Sequence, residues 1–227
     1  MFLTLLAASP ALAFAWVAAI LVSLTIHEFS HALVGKWRGD DTAERMGRLT
    51  LNPLAHIDPF GFVALLLVGF GWAKPVPYNP YNLRDSKWDA VMIALAGPAS
   101  NIILASVSAL AIRLLVGGEV ITELNLLVVF LFLLVLINLF LAFFNFIPVA
   151  PLDGSKLVDA LFQAPKYAGL RQFLATRGPQ ILLVLILISA LTPFDVFGFI
   201  SIPAYGTCNL LLSDNCSAFL GAILGGI

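Results

Sequence analysis

His27-Glu28-Phe29-Ser30-His31 is a His-Glu-x-x-His pattern within an apolar run that predicts a helix. Residues i and i+4 share one helix face, a turn apart. Two imidazoles placed so can bind one Zn²⁺ at about 2.0–2.1 Å each. Glu28, beside the first, can take a proton from a water that the ion activates. In water this five-residue pattern is a weak signal. Within a membrane span, ionisable side chains cost several kcal/mol and mark function by default.

A catalytic zinc keeps three protein ligands and one open position. His56 is the only other histidine, and Asp58 lies in the same predicted loop. Asp153 follows the third apolar run, on the side of the membrane where His31 ends the first. Topology thus brings His31 and Asp153 together without any assumption about the fold.

The elements that must position these residues are read from composition. Of 227 residues, 60% are apolar and only 11% charged, against about 25% charged in soluble domains. Mean hydropathy is +0.99. So little polar surface excludes a water-soluble globule and a disordered chain, and predicts an α-helical polytopic membrane protein with four to six membrane segments. Spans are predicted at Ala11–Val34, Ala90–Val116, Leu124–Ile147 and, shorter, Gln180–Leu191. The N-terminal run leads directly into the first span and is read as uncleaved. No soluble module or repeat is visible, so residues 1–227 read as one membrane domain. Its catalytic core is about 11–160, with a C-terminal membrane-associated region at about 178–227.

Charge sets the orientation. Eleven of the twelve basic residues fall in 36–87 and 151–178, which alternation of the spans puts on one face. Cytoplasmic loops are enriched in Lys and Arg, so the N-terminus is expected outside and His31 and Asp153 near the cytoplasmic side. Glu119, Glu123, Asp195 and Asp214 fall on the opposite face, with Arg113 near it. Gly61–Trp72 is apolar, too short to span, and flanked by basic loops on both sides. It reads as a short re-entrant or β-hairpin-like element within 47–80. Phe194–Ile227, apolar with Gly and Pro, either spans or folds back. Cys208 and Cys216 fall on the external side, either as free thiols or as a disulfide if that compartment is oxidising.

Several motifs, in order along the chain, resemble the site-2 protease family of intramembrane zinc metalloproteases, in its compact prokaryotic branch without a PDZ domain. They are His27–His31, Asn52-Pro53-Leu54-Ala55-His56-Ile57-Asp58-Pro59, Gly69–Pro77, Ala96-Gly97-Pro98-Ala99-Ser100-Asn101, and Asn145–Gly154. The resemblance covers about 16–160. It implies one Zn²⁺ per chain held by His27, His31 and Asp153, with Glu28 as general base. It also implies substrates that are single-span transmembrane proteins or peptides in a cell membrane.

Other polar residues carry two readings each. Asn145 is a hydrogen-bond donor to substrate or oxyanion, or a packing amide. Asn101 supports the zinc helix from behind, or packs. Asn138 reads as packing. His56 is an accessory site residue or part of a turn. The strand-like alternation of 47–52 and the Pro-rich end of 61–80 are the candidate substrate clamp. A prenyl-protein peptidase would need an intramembrane Glu on another helix, which is lacking. The alternative function is metal-ion binding or transport across the membrane without peptidase activity. No basic stripe for nucleic acid is present, and the sequence leaves the oligomeric state open.

Overall fold

The computed structural model describes residues 2–118, 120–122, 125–213 and 215–225. Among these it is helical, with no β-strand beyond one isolated bridge. The helices are α1 (Phe2–Ala8), α2 (Pro10–Trp37), α3 (Thr42–Arg45), α4 (Pro59–Val68), α5 (Trp88–Gly117), α6 (Leu126–Asn145), α7 (Gly154–Leu161), α8 (Ala168–Leu191), α9 (Gly198–Leu212) and α10 (Cys216–Gly225). Four stretches are long and apolar enough to cross a membrane: Pro10–Trp37, Trp88–Gly117, Leu126–Asn145 and Pro165–Ser189. The chain is a polytopic α-helical membrane protein.

Local chemistry sets the ends. Ser9 caps α2 through its side chain, and Pro10 fills the first turn, where a missing N–H costs nothing. This pair splits the N-terminal apolar run into α1 and α2. Asn125 caps α6 in the same way, accepting from Leu127 N at 2.9 Å. α2, α5 and α6 pack on one another as the central bundle. α6 is its axis: Val128, Phe132, Val135 and Leu139 have no exposure at all.

The segment 57–74 dips and returns. Asp58 caps α4, accepting from Gly61 N at 2.9 Å. Ten residues of helix span about 15 Å, half a hydrocarbon core. Gly69 ends α4 at φ 81°, a left-handed conformation that glycine adopts without strain. The chain then comes back to its start: Ala73 bridges Ile57 in antiparallel fashion, and Lys74 N donates to His56 O at 2.8 Å. Backbone touches backbone in this return, since a Cβ on Gly61 would lie 2.1 Å from Trp72 O. The re-entrant expectation holds, in helical rather than β-hairpin form.

Two expectations change, and one left open is decided. Residues 47–52 form turns and bends, not a strand. Gly47 sits at φ 69°, Asn52 caps a 3₁₀ turn at Pro53–Ala55, and no partner strand lies alongside. The fourth membrane helix is twice the predicted length, because its first turns carry Arg171 and Arg177 and so lack an apolar signature. The C-terminal stretch folds as a hairpin of α9 and α10, closed by a Cys208–Cys216 disulfide, with α9 packed on α5 and α6. Glu119, Glu123 and Asp214, placed above on the opposite face, lie outside the described residues.

Candidate metal centre

His27 and His31 lie one turn apart on the buried face of α2. Their Nε2 atoms are 3.0 Å apart. Asp153 reaches them from the residue preceding α7, its Oδ2 3.3 Å from His27 Nε2 and 3.4 Å from His31 Nε2. These three are the only His, Cys, Asp and Glu side chains among the described residues grouped closely enough to hold one ion.

The proton positions show what the cluster lacks. His31 Nδ1 lies 2.6 Å from Ile93 O, and a carbonyl can only accept, so Nδ1 carries the proton. His27 Nδ1 lies 2.6 Å from Asn101 Oδ1 and likewise donates. With both rings neutral, the form in which imidazole ligates a metal, each turns an Nε2 lone pair toward the other. Asp153 Oδ2 is enclosed and accepts no hydrogen bond. Three electron-rich atoms thus converge with no proton among them. A tetrahedral ion with bonds of about 2.0–2.1 Å separates its ligands by about 3.3 Å, which is what the two Asp153 contacts measure. The residues present fit zinc.

Space for the imidazoles comes from Gly97 on α5. A Cβ there would lie 2.5 Å from His27 Cε1 and from His31 Nε2. Sequence alone marks neither Gly97 nor Arg48 as a site residue. Ala96-Gly97-Pro98 was a signal for the first; nothing in the sequence ties Arg48 to the site.

Glu28 is buried, and its Oε2 accepts from Val76 N at 3.1 Å. Val76 belongs to residues 73–79, the return from α4, which lies across the site as a strap. Arg48 fastens it. The guanidinium is buried, donating to Lys74 O and, at 3.0 Å, to Pro75 O. Burial pulls the Arg48 guanidinium down from its ordinary value, and the charge of Glu28 pushes it back up.

The remaining sequence candidates take other places. His56 is buried in the loop beneath the strap: Nε2 meets Thr50 O at 2.8 Å and Nδ1 lies 3.5 Å from Arg48 Nη2. Both ring nitrogens are thereby turned to the loop, and His56 is outside the metal group. Asn101 is fully buried behind His27. Asn145, the last residue of α6, gives one amide N–H to Leu141 O at 3.0 Å. Asn145 and the metal group line one cavity of about 1150 Å³, with Glu28, Val76 and apolar residues of α4, α6, α8 and α9.

The chain is 41% identical over 145 residues to "Putative zinc metalloprotease YwhC" of Bacillus subtilis (strain 168), covering 63% of this chain and 66% of that one. It is 37% identical over 95 residues to "Putative zinc metalloprotease Rip2" of Mycolicibacterium smegmatis (strain ATCC 700084 / mc(2)155), covering 39% and 36%. The chain thus spans less than two thirds of either relative. No solved structure matches it at the same stringency. The profile described as Peptidase family M50 matches residues 15–126 and 118–189. That range takes in all three residues of the cluster, Glu28 and every motif behind the resemblance, and on it the chain belongs to Peptidase family M50, the site-2 protease family.

Proposed function

We propose that this single membrane-embedded domain is an intramembrane zinc metalloprotease that cleaves transmembrane segments of membrane-tethered proteins. The observation that carries it is the convergence of His27 Nε2, His31 Nε2 and Asp153 Oδ2 on one point, beside a buried glutamate, in an apolar cavity. Zinc, when bound there, supplies a Lewis acid and makes water ionisable near neutral pH.

The chain's own residues do the rest. His27, His31 and Asp153 hold the ion. Glu28 Oε2 takes the proton of the attacking water and returns it to the leaving amine. Val76 N–H fixes the Glu28 carboxylate. Asn101 holds the His27 ring. Asn145 gives its free amide hydrogen to the substrate backbone or its developing oxyanion. Pro75, Val76 and Tyr78 line the cavity and flank the substrate. A transmembrane helix hides its amides in its own hydrogen bonds, so it must unwind to present one. His56 supports the strap from below.

We assign the metal end to the cytoplasmic side and the N-terminus to the outside. Eleven of the twelve basic residues lie in 36–87 and 151–178, the segments that flank the metal end. Cys216 shares a small pocket with Ile112 and Val116 at the far end of α5, whereas Ile93, near its start, binds His31. A disulfide at the far end suits an oxidising, external compartment.

The test is proteolysis of a reconstituted single-span protein in liposomes, with wild type and Glu28→Gln. Wild type should cleave it and Glu28→Gln should not, at equal zinc content. Full activity of Glu28→Gln would sink the assignment. Metal transport, the alternative, requires a polar path across the membrane. Zinc flux into the same liposomes without cleavage would favour it.

A further inference from the structure

Asn138 and Ser23 take no part in the chemistry above, yet both are fully buried beneath it, with Asn101, where α2, α5 and α6 meet. Their hydrogen bonds run in one line. His27 Nδ1 meets Asn101 Oδ1 at 2.6 Å. Asn101 Nδ2 donates to Asn138 Oδ1 at 2.6 Å and to Ser23 O at 3.4 Å. Asn138 Nδ2 donates to Leu134 O at 2.7 Å and to Ser23 Oγ at 2.8 Å. Ser23 Oγ donates to Ala19 O at 2.7 Å.

A line of amides can point either way, and its far end decides. A helix carbonyl only accepts. Leu134 O therefore requires the NH₂ side of Asn138, which leaves Asn138 Oδ1 facing Asn101. Ser23 spends its one proton on Ala19 O, so its oxygen also accepts from Asn138. Asn101 then faces two acceptors, Asn138 Oδ1 and Ser23 O, and must turn its NH₂ toward them. Its own oxygen is left for His27, which has to donate from Nδ1. A neutral imidazole holds one proton, so Nε2 keeps its lone pair.

We propose that Asn138 and Ser23 are positioning residues that, through Asn101, place the His27 proton on Nδ1 and keep Nε2 open for a metal ion. The proposal rests on the zinc reading of the site. Inverting Asn101 would set its oxygen against two other acceptors among fully buried residues, and would leave an NH₂ facing His27. His27 would then accept at Nδ1 and carry its proton on Nε2, where no metal can bind. His31 needs no such line, because its Nδ1 meets Ile93 O directly. Both ligands are thus oriented by backbone carbonyls, one at first hand and one through two amides.

The test uses full-length protein with ¹⁵N-labelled histidine, stripped of metal in nanodiscs. Nitrogen shifts report the His27 tautomer, and competition with a chelator reports zinc affinity. Wild type should show the proton on Nδ1. Asn138→Leu should mix the two tautomers and weaken zinc binding about tenfold, at the low end for groups that orient a metal ligand. Should Asn138→Leu fail to fold, Asn138→Ala, small enough for any helix interface, takes its place under the same criteria. A wild-type His27 protonated on Nε2 overturns the proposal. So does a variant with an unchanged tautomer and zinc affinity within about twofold of wild type. A wild type that binds no zinc while His27 keeps its Nδ1 proton supports the line and sinks the protease reading instead.

Discussion

Val76 gives its backbone N–H to Glu28 Oε2 at 3.1 Å, joining the strap to α2 across 48 residues. The neighbours, Pro75 and Pro77, have no N–H to give. Val76 is therefore the one backbone donor in its run, and it meets the proposed base directly.

Val76→Pro removes that donor and little else, since the residue already sits between two prolines. A hydrogen bond to a charged group contributes about 1.5–3 kcal/mol. Turnover should fall at least tenfold, about 1.4 kcal/mol in barrier, with KM and zinc content near wild type. Steady-state kinetics on a reconstituted membrane substrate, with metal analysis of the same samples, checks it. Unchanged kcat would mean the contact is idle.

Arg48 holds the same strap from the other side. Lysine keeps the charge but cannot span two carbonyls with one planar fork. Arg48→Lys should lower kcat in the same direction as Val76→Pro. The double variant should be less than additive, because both changes release one Glu28 contact. Additive losses would separate Arg48 from the base.

Gly97→Ala puts a methyl where the imidazoles are. Overpacking of this kind costs about 1–3 kcal/mol, so zinc affinity should fall about ten- to a hundredfold while the fold persists. Competition with a chelator reads it, and circular dichroism reports the helices.

Asp40 gives a pH test away from the metal. It is buried and accepts from Thr42 Oγ1, Asn82 Nδ2, Asn79 N and Thr42 N. Burial raises the Asp40 carboxyl, but these four bonds outweigh it and hold it below the ordinary 3.8. A carboxylate depressed on folding contributes stability above its unfolded pKa, and loses it as pH falls through the folded value. Asp40→Asn should melt below wild type at pH 7. The gap should close as pH drops below about 3.8. A gap that stays constant with pH would mean that the charge of Asp40 contributes nothing.

The sequence announces those parts of the fold that composition or a short pattern can carry. α2, α5 and α6 are near-continuous apolar runs, and two histidines at i and i+4 need only one helix to meet. Asp153 was reachable because alternation of the spans already fixes which membrane face it shares. Arg48, Val76 and Gly97 were harder. Each acts through backbone atoms or empty volume contributed by a distant segment, and no residue type advertises that. The first turns of α8, with Arg171 and Arg177, are too polar to read as membrane helix from sequence. Asn138, read from sequence as packing, looks that way on its own; only the direction of its two hydrogen bonds ties it to His27.

His31 ends the N-terminal part of the metal site and Asp153 begins the C-terminal part, with α5 and α6 threaded between. An ion held by both clasps the two halves of the chain together. By mass action, anything bound only to the folded form raises its stability with the logarithm of free ligand. Zinc supply should therefore govern how long this protein survives in the membrane as well as how fast it works, and starvation for the ion would remove the protein along with its activity.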